Sequence, residues 1–206
     1  SSWLRVEVCR DGVEYAQEYE RGEPKGAVKK VGKCERNGTK VIFDADATVF
    51  SEIEYDWKRI VDHMRQQAYL TKGVRVFLSD KRAGIAHSYG FYFERGLQSF
   101  IQYLVESEKV TQKEPFYVHK EVEHVDVEAA FVYVDDVENE ELSFANNIYT
   151  PDGGMHLTGF RTALTRTLND YARKEGYVKD SDENLTGDDI REGLVATVSI
   201  KIREPQ

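Results

Sequence analysis

The segment TPDGGMHLTGFRTALTRTLNDYARKEG, residues 150–176, decides the fold. It opens on Pro151-Asp152-Gly153-Gly154, a tight turn, because Asp and Gly tolerate the left-handed backbone that such turns require. The period then becomes helical. Phe160, Leu164, Leu168 and Tyr171 recur every three or four residues as one apolar stripe, which predicts a helix over residues 156–175 that ends near Gly176. Arg161, Arg166, Arg173 and Lys174 fall off the stripe, against two acidic residues, Asp170 and Glu175. In an acidic chain this is the clearest local concentration of positive charge. It points to contact with phosphate, of DNA or of a nucleotide; a solvated helix face is the plain alternative.

Upstream, residues 1–44 alternate with period two and are punctuated by Asp11-Gly12, Gly22–Gly26 and Asn37-Gly38, the signals of a four-strand antiparallel meander. Residues 52–71 carry Ile53, Trp57, Ile60, Val61, Met64 and Ala68 at helical spacing. Strands are expected at Val74–Leu78 and Ile85–Phe93, with a second helix at Leu97–Glu106. Pro115–Lys120, His124–Tyr133 and Leu142–Tyr149 read as strands, with an acidic loop from Asp135 to Glu141. After the long helix, Asp180–Asn184 reads as a polar loop. Thr186 and Asp189 have capping-box spacing at the start of a short helix, and Leu194–Ile202 closes as a strand. The order is mixed, without strict βαβ alternation, so the fold class is α+β or α/β in two halves joined near residue 95.

At 206 residues, the chain is long enough for one or two domains at roughly 150 residues each. Lys and Arg number 28 against 37 Asp and Glu, a net charge of −9, which argues against an indiscriminate nucleic-acid coat. No apolar run approaches the ~20 residues a bilayer span needs, so no membrane partner is expected. Nothing at Ser1–Arg5 resembles a secretory signal, and the start without Met is read as a fragment or processed product. Cys9 and Cys34 are the two cysteines; without a CxxC pair or a disulfide framework, they predict reduced thiols in a cytoplasmic setting.

Histidines stand at 63, 87, 119, 124 and 156. His119 and His124 alone supply too few ligands, so no metal site is expected. The calcium-like start at Asp180 fails where Leu185 replaces the turn Gly and Arg191 the bidentate Glu. GxGxxG, a Walker A loop and a nucleophile elbow are all absent from the sequence.

Three ordered runs carry a resemblance: Asn146–His156 with Gly159–Arg166, Asn169–Lys174, and Leu185–Leu194. They resemble the transducer domain of bacterial DNA gyrase B subunits, with topoisomerase IV B subunits as the near alternative. Trp3–Gly12, Gly22-Glu23-Pro24 and Gly38-Thr39 are similar to the last strands of that family's GHKL-type ATPase domain. The resemblance implies a partial GHKL-type α/β sandwich over 1–95. A ribosomal S5 domain 2-like transducer domain over 96–206 follows, including a left-handed crossover, which is rare among such connections.

For the parent protein, the resemblance implies an ATP-hydrolysing type IIA topoisomerase that couples ATP and Mg²⁺ to DNA strand passage. Its partners would be the A subunit, DNA and a second B subunit. The family's general base, Mg²⁺-binding Asn and lid precede the segment matching Ser1, and its γ-phosphate lysine follows the segment matching Gln206. This stretch is therefore expected to hold no catalytic residue, bind no cofactor alone and be monomeric; a stand-alone interaction module is the alternative. Four residues carry over. Thr39 matches a threonine at the adenine pocket, and Val41, two residues on, would line that pocket. Arg10 matches a basic residue at the mouth, where aminocoumarin inhibitors contact the family. Arg161 matches a basic residue lining the DNA cavity, with a salt bridge to the acidic loop as the plain alternative.

Overall fold

The computed structural model describes residues 1–84, 87–179 and 181–204. Ile85, Ala86, Asp180, Pro205 and Gln206, which the sequence assigns to a strand start, a polar loop and the chain end, lie outside the described residues. Ser1–Asp56 form one compact unit and Trp57–Gln206 a second.

In the first unit, β1 (Trp3–Arg10) and β2 (Val13–Glu20) form an antiparallel hairpin. Its turn residues Asp11 and Gly12 both have positive φ, 54° and 78°, which suits the right-handed twist of the strands. β3 (Glu23–Pro24) and β4 (Lys29–Lys33) both pair with β2, and β5 (Gly38–Asp44) pairs with the far side of β1. The expected meander is therefore corrected. β2 already holds β1, β3 and β4, so the chain returns across the sheet to the free edge of β1.

The register places Leu4, Val6, Val8, Tyr15, Tyr19, Val41 and Phe43 on one face. The other face carries an ion network: Arg5 meets Glu7 at 2.8 Å and Glu18 at 2.7 Å, and Lys40 meets Glu7 at 3.1 Å. The apolar face is open. Val41 and Phe43 are 55% and 54% exposed, and Ala16 alone among the unit's apolar residues is fully buried. The thiols are not as expected: Cys9 and Cys34 are joined in a disulfide, because the chain leaving β4 bonds the β1–β2 turn through Cys34 N–H and Gly12 O and comes over the end of β1, with the two Cα atoms 5.9 Å apart.

The second unit opens with α1 (Trp57–Leu70), then β6 (Val76–Asp80) and β7 (His87–Phe91) as an antiparallel pair, then α2 (Leu97–Leu104). The main sheet comprises β8 (Phe116–Val122), β9 (Val125–Tyr133), β10 (Glu140–Ala145), β11 (Ile148–Tyr149) and β12 (Leu194–Lys201), in the order β11-β10-β12-β9-β8. β10 and β12 run parallel, joined through α3 (Met155–Lys174) and α4 (Gly187–Arg191), the long connection that parallel neighbours require.

Both faces of this sheet are buried. Ala130, Val132, Phe144 and Val195 pack with Leu97, Phe100, Ile101, Tyr69 and Leu70. On the opposite face, Leu194, Ala196 and Val198 meet Leu157, Leu164 and Ile190. α1 and α2 share one core within this unit.

The strand expected over Leu142–Tyr149 is two strands. Asn146 and Asn147 take φ of 50° and 65° and turn the chain back. On α3 the buried stripe runs through Leu157, Leu164 and Ala172, whereas Tyr171 is 54% exposed and faces Tyr177. The Thr186 cap is as read. Thr186 Oγ1 accepts from Asp189 N–H at 3.2 Å and Asp189 Oδ2 accepts from Thr186 N–H at 2.7 Å.

Candidate functional site

Three of the four sequence-predicted residues meet on one surface. Thr39 pairs with Val8 and Val41 with Val6, and Arg10 follows Val8 by two, so all three lie on the open apolar face. Arg10 ends β1 with an exposed side chain 3.7 Å from the Asp11 carboxylate. The result is one wall: a hydroxyl beside valines, with a cation at the sheet's end. At the opposite end Phe43, Phe50, Ile53 and Tyr55 line an apolar hollow of about 350 Å³.

Arg161 stands elsewhere, on α3 in the second unit. Its Nη2 and Nε bond Glu141 Oε2 at 2.6 and 3.0 Å, and that carboxylate is 3% exposed. Glu141 raises the guanidinium pKa further. The salt bridge is thus formed, though Glu141 belongs to β10 rather than to the loop. Beside it, a groove of about 560 Å³ between α3 and α4 is lined by Arg161, Arg166, Asn169, Arg173, Asn184 and Arg191.

Two of these residues build the groove. Asn169, 7% exposed, bonds both backbone groups of Leu185, accepting from its N–H at 2.8 Å and donating to its carbonyl at 3.0 Å. Arg173 donates to the carbonyls of Lys179 and Asp182 and to Asn184 Oδ1. Sequence reasoning missed Asn169. A polar residue one position from the apolar stripe was its one signal.

A third cluster also escaped the sequence reading. β8–β9 pairing sets His119 opposite Glu128, and the ligand atoms of His119, Asp126 and Glu128 all lie within 4.8 Å of one another. These groups already serve each other. His119 Nε2 is 2.6 Å from Asp126 Oδ1, Tyr117 O–H donates to Glu128 at 2.9 Å, and the Lys201 ammonium stands 3.7 and 3.9 Å from the two carboxylates. The cation the carboxylates call for is Lys201.

The DNA gyrase B family model matches residues 96–206, more than half of the chain. The chain belongs to the DNA gyrase B family. It is 44% identical, over its whole length, to the DNA gyrase B protein of Clostridium acetobutylicum, of which it spans 32%. It is 42% identical to the DNA topoisomerase 4 B protein of Enterococcus faecalis over 99% of its length, or 30% of that protein. This gyrase B family member thus spans about a third of the length of these two relatives. All of it superposes on the 43K ATPase domain of Thermus thermophilus gyrase B, solved in complex with an aminocoumarin, with a TM-score of 0.87 and 36% identity over 56% of that chain. The gyrase B protein of Myxococcus xanthus gives a TM-score of 0.84 at 25% identity, over 98% of this chain and 58% of that one. The mixed sheet and helix architecture is therefore that of gyrase B ATPase domains.

In this family member, Arg10, Thr39 and Val41 form one open wall and no enclosed site. A hydroxyl among apolar side chains suits a base edge and a neighbouring water. The one cluster of metal-ligand type among the described residues is that at His119, in the other unit. Among the described residues, no helix is long and apolar enough to cross a membrane.

Proposed function

We propose that this chain is the coupling segment of a type IIA topoisomerase ATPase subunit. Residues 1–95 would be the C-terminal part of its GHKL-type ATPase domain. Residues 96–206 would be an S5 domain 2-like transducer in which β10–α3–β12 forms the left-handed crossover. The likeness of the whole chain to the 43K ATPase domain carries this reading. The parent binds ATP and Mg²⁺, pairs with a second B subunit, works with the A subunit on DNA and resides in the cytoplasm. The open apolar face, with Thr39, Val41 and Arg10 on it, is the wall that the remainder of the ATPase domain covers. When bound, the nucleotide supplies the hydrolysable phosphoanhydride. This chain's contribution is to orient the base through the Thr39 hydroxyl and exclude water with Val41.

The α3–α4 groove, with Arg166 and Arg191 beside the ion-paired Arg161, is the surface assigned to the phosphates of captured DNA. A topoisomerase IV B subunit is the second reading, supported by the Enterococcus faecalis relative. The test compares ATP turnover by this stretch, by the parent protein and by the parent with Thr39→Val. The stretch alone should be inactive and monomeric. The variant should bind nucleotide roughly tenfold more weakly, the loss of one hydrogen bond in a water-poor site. Appreciable turnover by the stretch alone would overturn the reading.

A further inference from the structure

Cys9 and Cys34 are held together by more than their bond. Cys9 lies in β1, which is paired on both sides, opposite Gly38 of β5. Cys34 follows β4, and its N–H donates to Gly12 O at 3.1 Å. Asn37 Oδ1 accepts from Asp11 N–H, also at 3.1 Å. Residues 34–37 are therefore folded over the β1–β2 turn by one backbone and one side-chain hydrogen bond, neither of which involves a sulfur. The Cα separation of 5.9 Å sits within the range, roughly 4.4–6.8 Å, that allows closure without backbone movement. Both cysteines are partly exposed, so a small reagent can reach them. The sheet thus presets a dithiol that closes and opens in place.

We propose that Cys9 and Cys34 form a reversible thiol–disulfide modification site, oxidised by a low-molecular-weight disulfide of the glutathione class. One cysteine thiolate attacks a sulfur of the small disulfide, forming a mixed disulfide and expelling one small thiolate. The second cysteine thiolate then attacks the protein-side sulfur, closing Cys9–Cys34 and releasing the second small thiolate. The two protons leave with the two small thiols, and excess dithiol reverses both steps. The closed state adds a covalent clamp to the two hydrogen bonds that hold residues 34–38. That segment leads into Thr39, so the clamp restrains the approach to the wall proposed above; this last link rests on the nucleotide reading of Thr39.

The test places the chain in glutathione buffers of graded poise. Free thiols and intact mass are followed, together with amide hydrogen exchange at 34–38. Free thiols should disappear as a pair, with loss of two hydrogens and no adduct, and return with dithiothreitol. Cys9→Ser should instead trap glutathione on Cys34, and Cys34→Ser on Cys9, so that failure of one variant to fold leaves the other. Exchange at 34–38 should slow roughly tenfold or more on closure. Thiols that stay free, stable adducts on both cysteines, or dimers linked between chains would overturn the site; unchanged exchange would overturn the clamp. In the parent protein, nucleotide affinity should differ between the two states. Equal affinities with slowed exchange would overturn the link to Thr39 and leave the modification site standing.

Discussion

Arg161 grips the buried carboxylate of Glu141 through Nε and Nη2 at 3.0 and 2.6 Å, so the cation picked out by the sequence is already half spent inside its own fold. Arg161→Ala leaves Glu141 buried at 3% exposure without its partner. Arg161 itself is 41% exposed, and water entering from that side moderates the penalty. The expected loss is about 2 kcal/mol. Chemical denaturation of Arg161→Ala, Glu141→Gln and the double variant checks this; the double variant should be less destabilised than the sum of the singles. Additive losses would mean that the two groups act independently. Any loss of strand passage by Arg161→Ala in the parent must be read against Glu141→Gln, which frees Arg161 and should strengthen, not weaken, DNA binding at low salt.

The Thr186–Asp189 box starts α4, whose Gly187 and Arg191 line the basic groove. Thr186→Ala should cost about 1 kcal/mol. Hydrogen bonds from Thr186 hold the Asp189 carboxyl below its ordinary value. A depressed carboxyl stabilises the fold above its unfolded pKa, roughly 3.9, and that contribution is lost as pH falls through the folded value. The gap in melting temperature between the parent sequence and Thr186→Ala should therefore be constant above about pH 5 and shrink toward pH 3. A gap independent of pH would remove Asp189 from the cap.

Gly193 precedes β12 with φ of 69°. A Cβ there would lie 2.5 Å from Val134 O and 2.8 Å from Asp136 O. Both obstacles are backbone and cannot swing aside, and Gly193 O is the acceptor for Val134 N–H at 2.8 Å. Gly193→Ala combines left-handed strain with a steric clash, so about 3 kcal/mol or more should be lost. A melting curve within a degree or two of the unsubstituted chain would contradict this geometry.

Much of the fold is legible because local patterns and tertiary demands agree. β12 reads as a strand from six successive residues, Leu194–Ser199, that the structure buries completely. α3 reads as a helix because its apolar stripe faces a sheet. Tyr171 is misassigned because aromatic spacing carries the stripe one position off the buried face, which runs through Asn169 and Ala172. Asn146-Asn147 escapes because the usual hairpin signal has Gly second, whereas here two Asn side chains tolerate the positive φ. Long-range partners are a different matter. Arg161 and Glu141 are 20 residues apart, Cys9 and Cys34 are 25 apart, and no spacing rule joins either pair. Only the passage of the chain after β4 over the β1–β2 turn and the β10–α3 crossing do so. The shared face of Arg10, Thr39 and Val41 is half visible: period two aligns Thr39 with Val41, but register alone adds Arg10.

His156 offers a pH test that separates burial from charge pairing. It lies in the first turn of α3, and a Cβ on Gly154 would come within 3.0 Å of its ring. Its Nε2 is 3.3 Å from Thr150 Oγ1, which is itself 2.6 Å from Ser143 Oγ. Burial pushes the imidazole pKa down. A base with a lowered folded pKa is neutral in both states well above pH ~6.5. As pH falls through that value, the unfolded chain takes up the proton first and the fold loses stability. Stability should therefore decline between about pH 7 and pH 5 by up to one proton's linkage, and His156→Gln should flatten that part of the profile. Equal slopes for the two chains would place the titrating group elsewhere. A rise in stability toward pH 5, lost in the variant, would instead require an anion beside His156 and would reverse the sign of the argument.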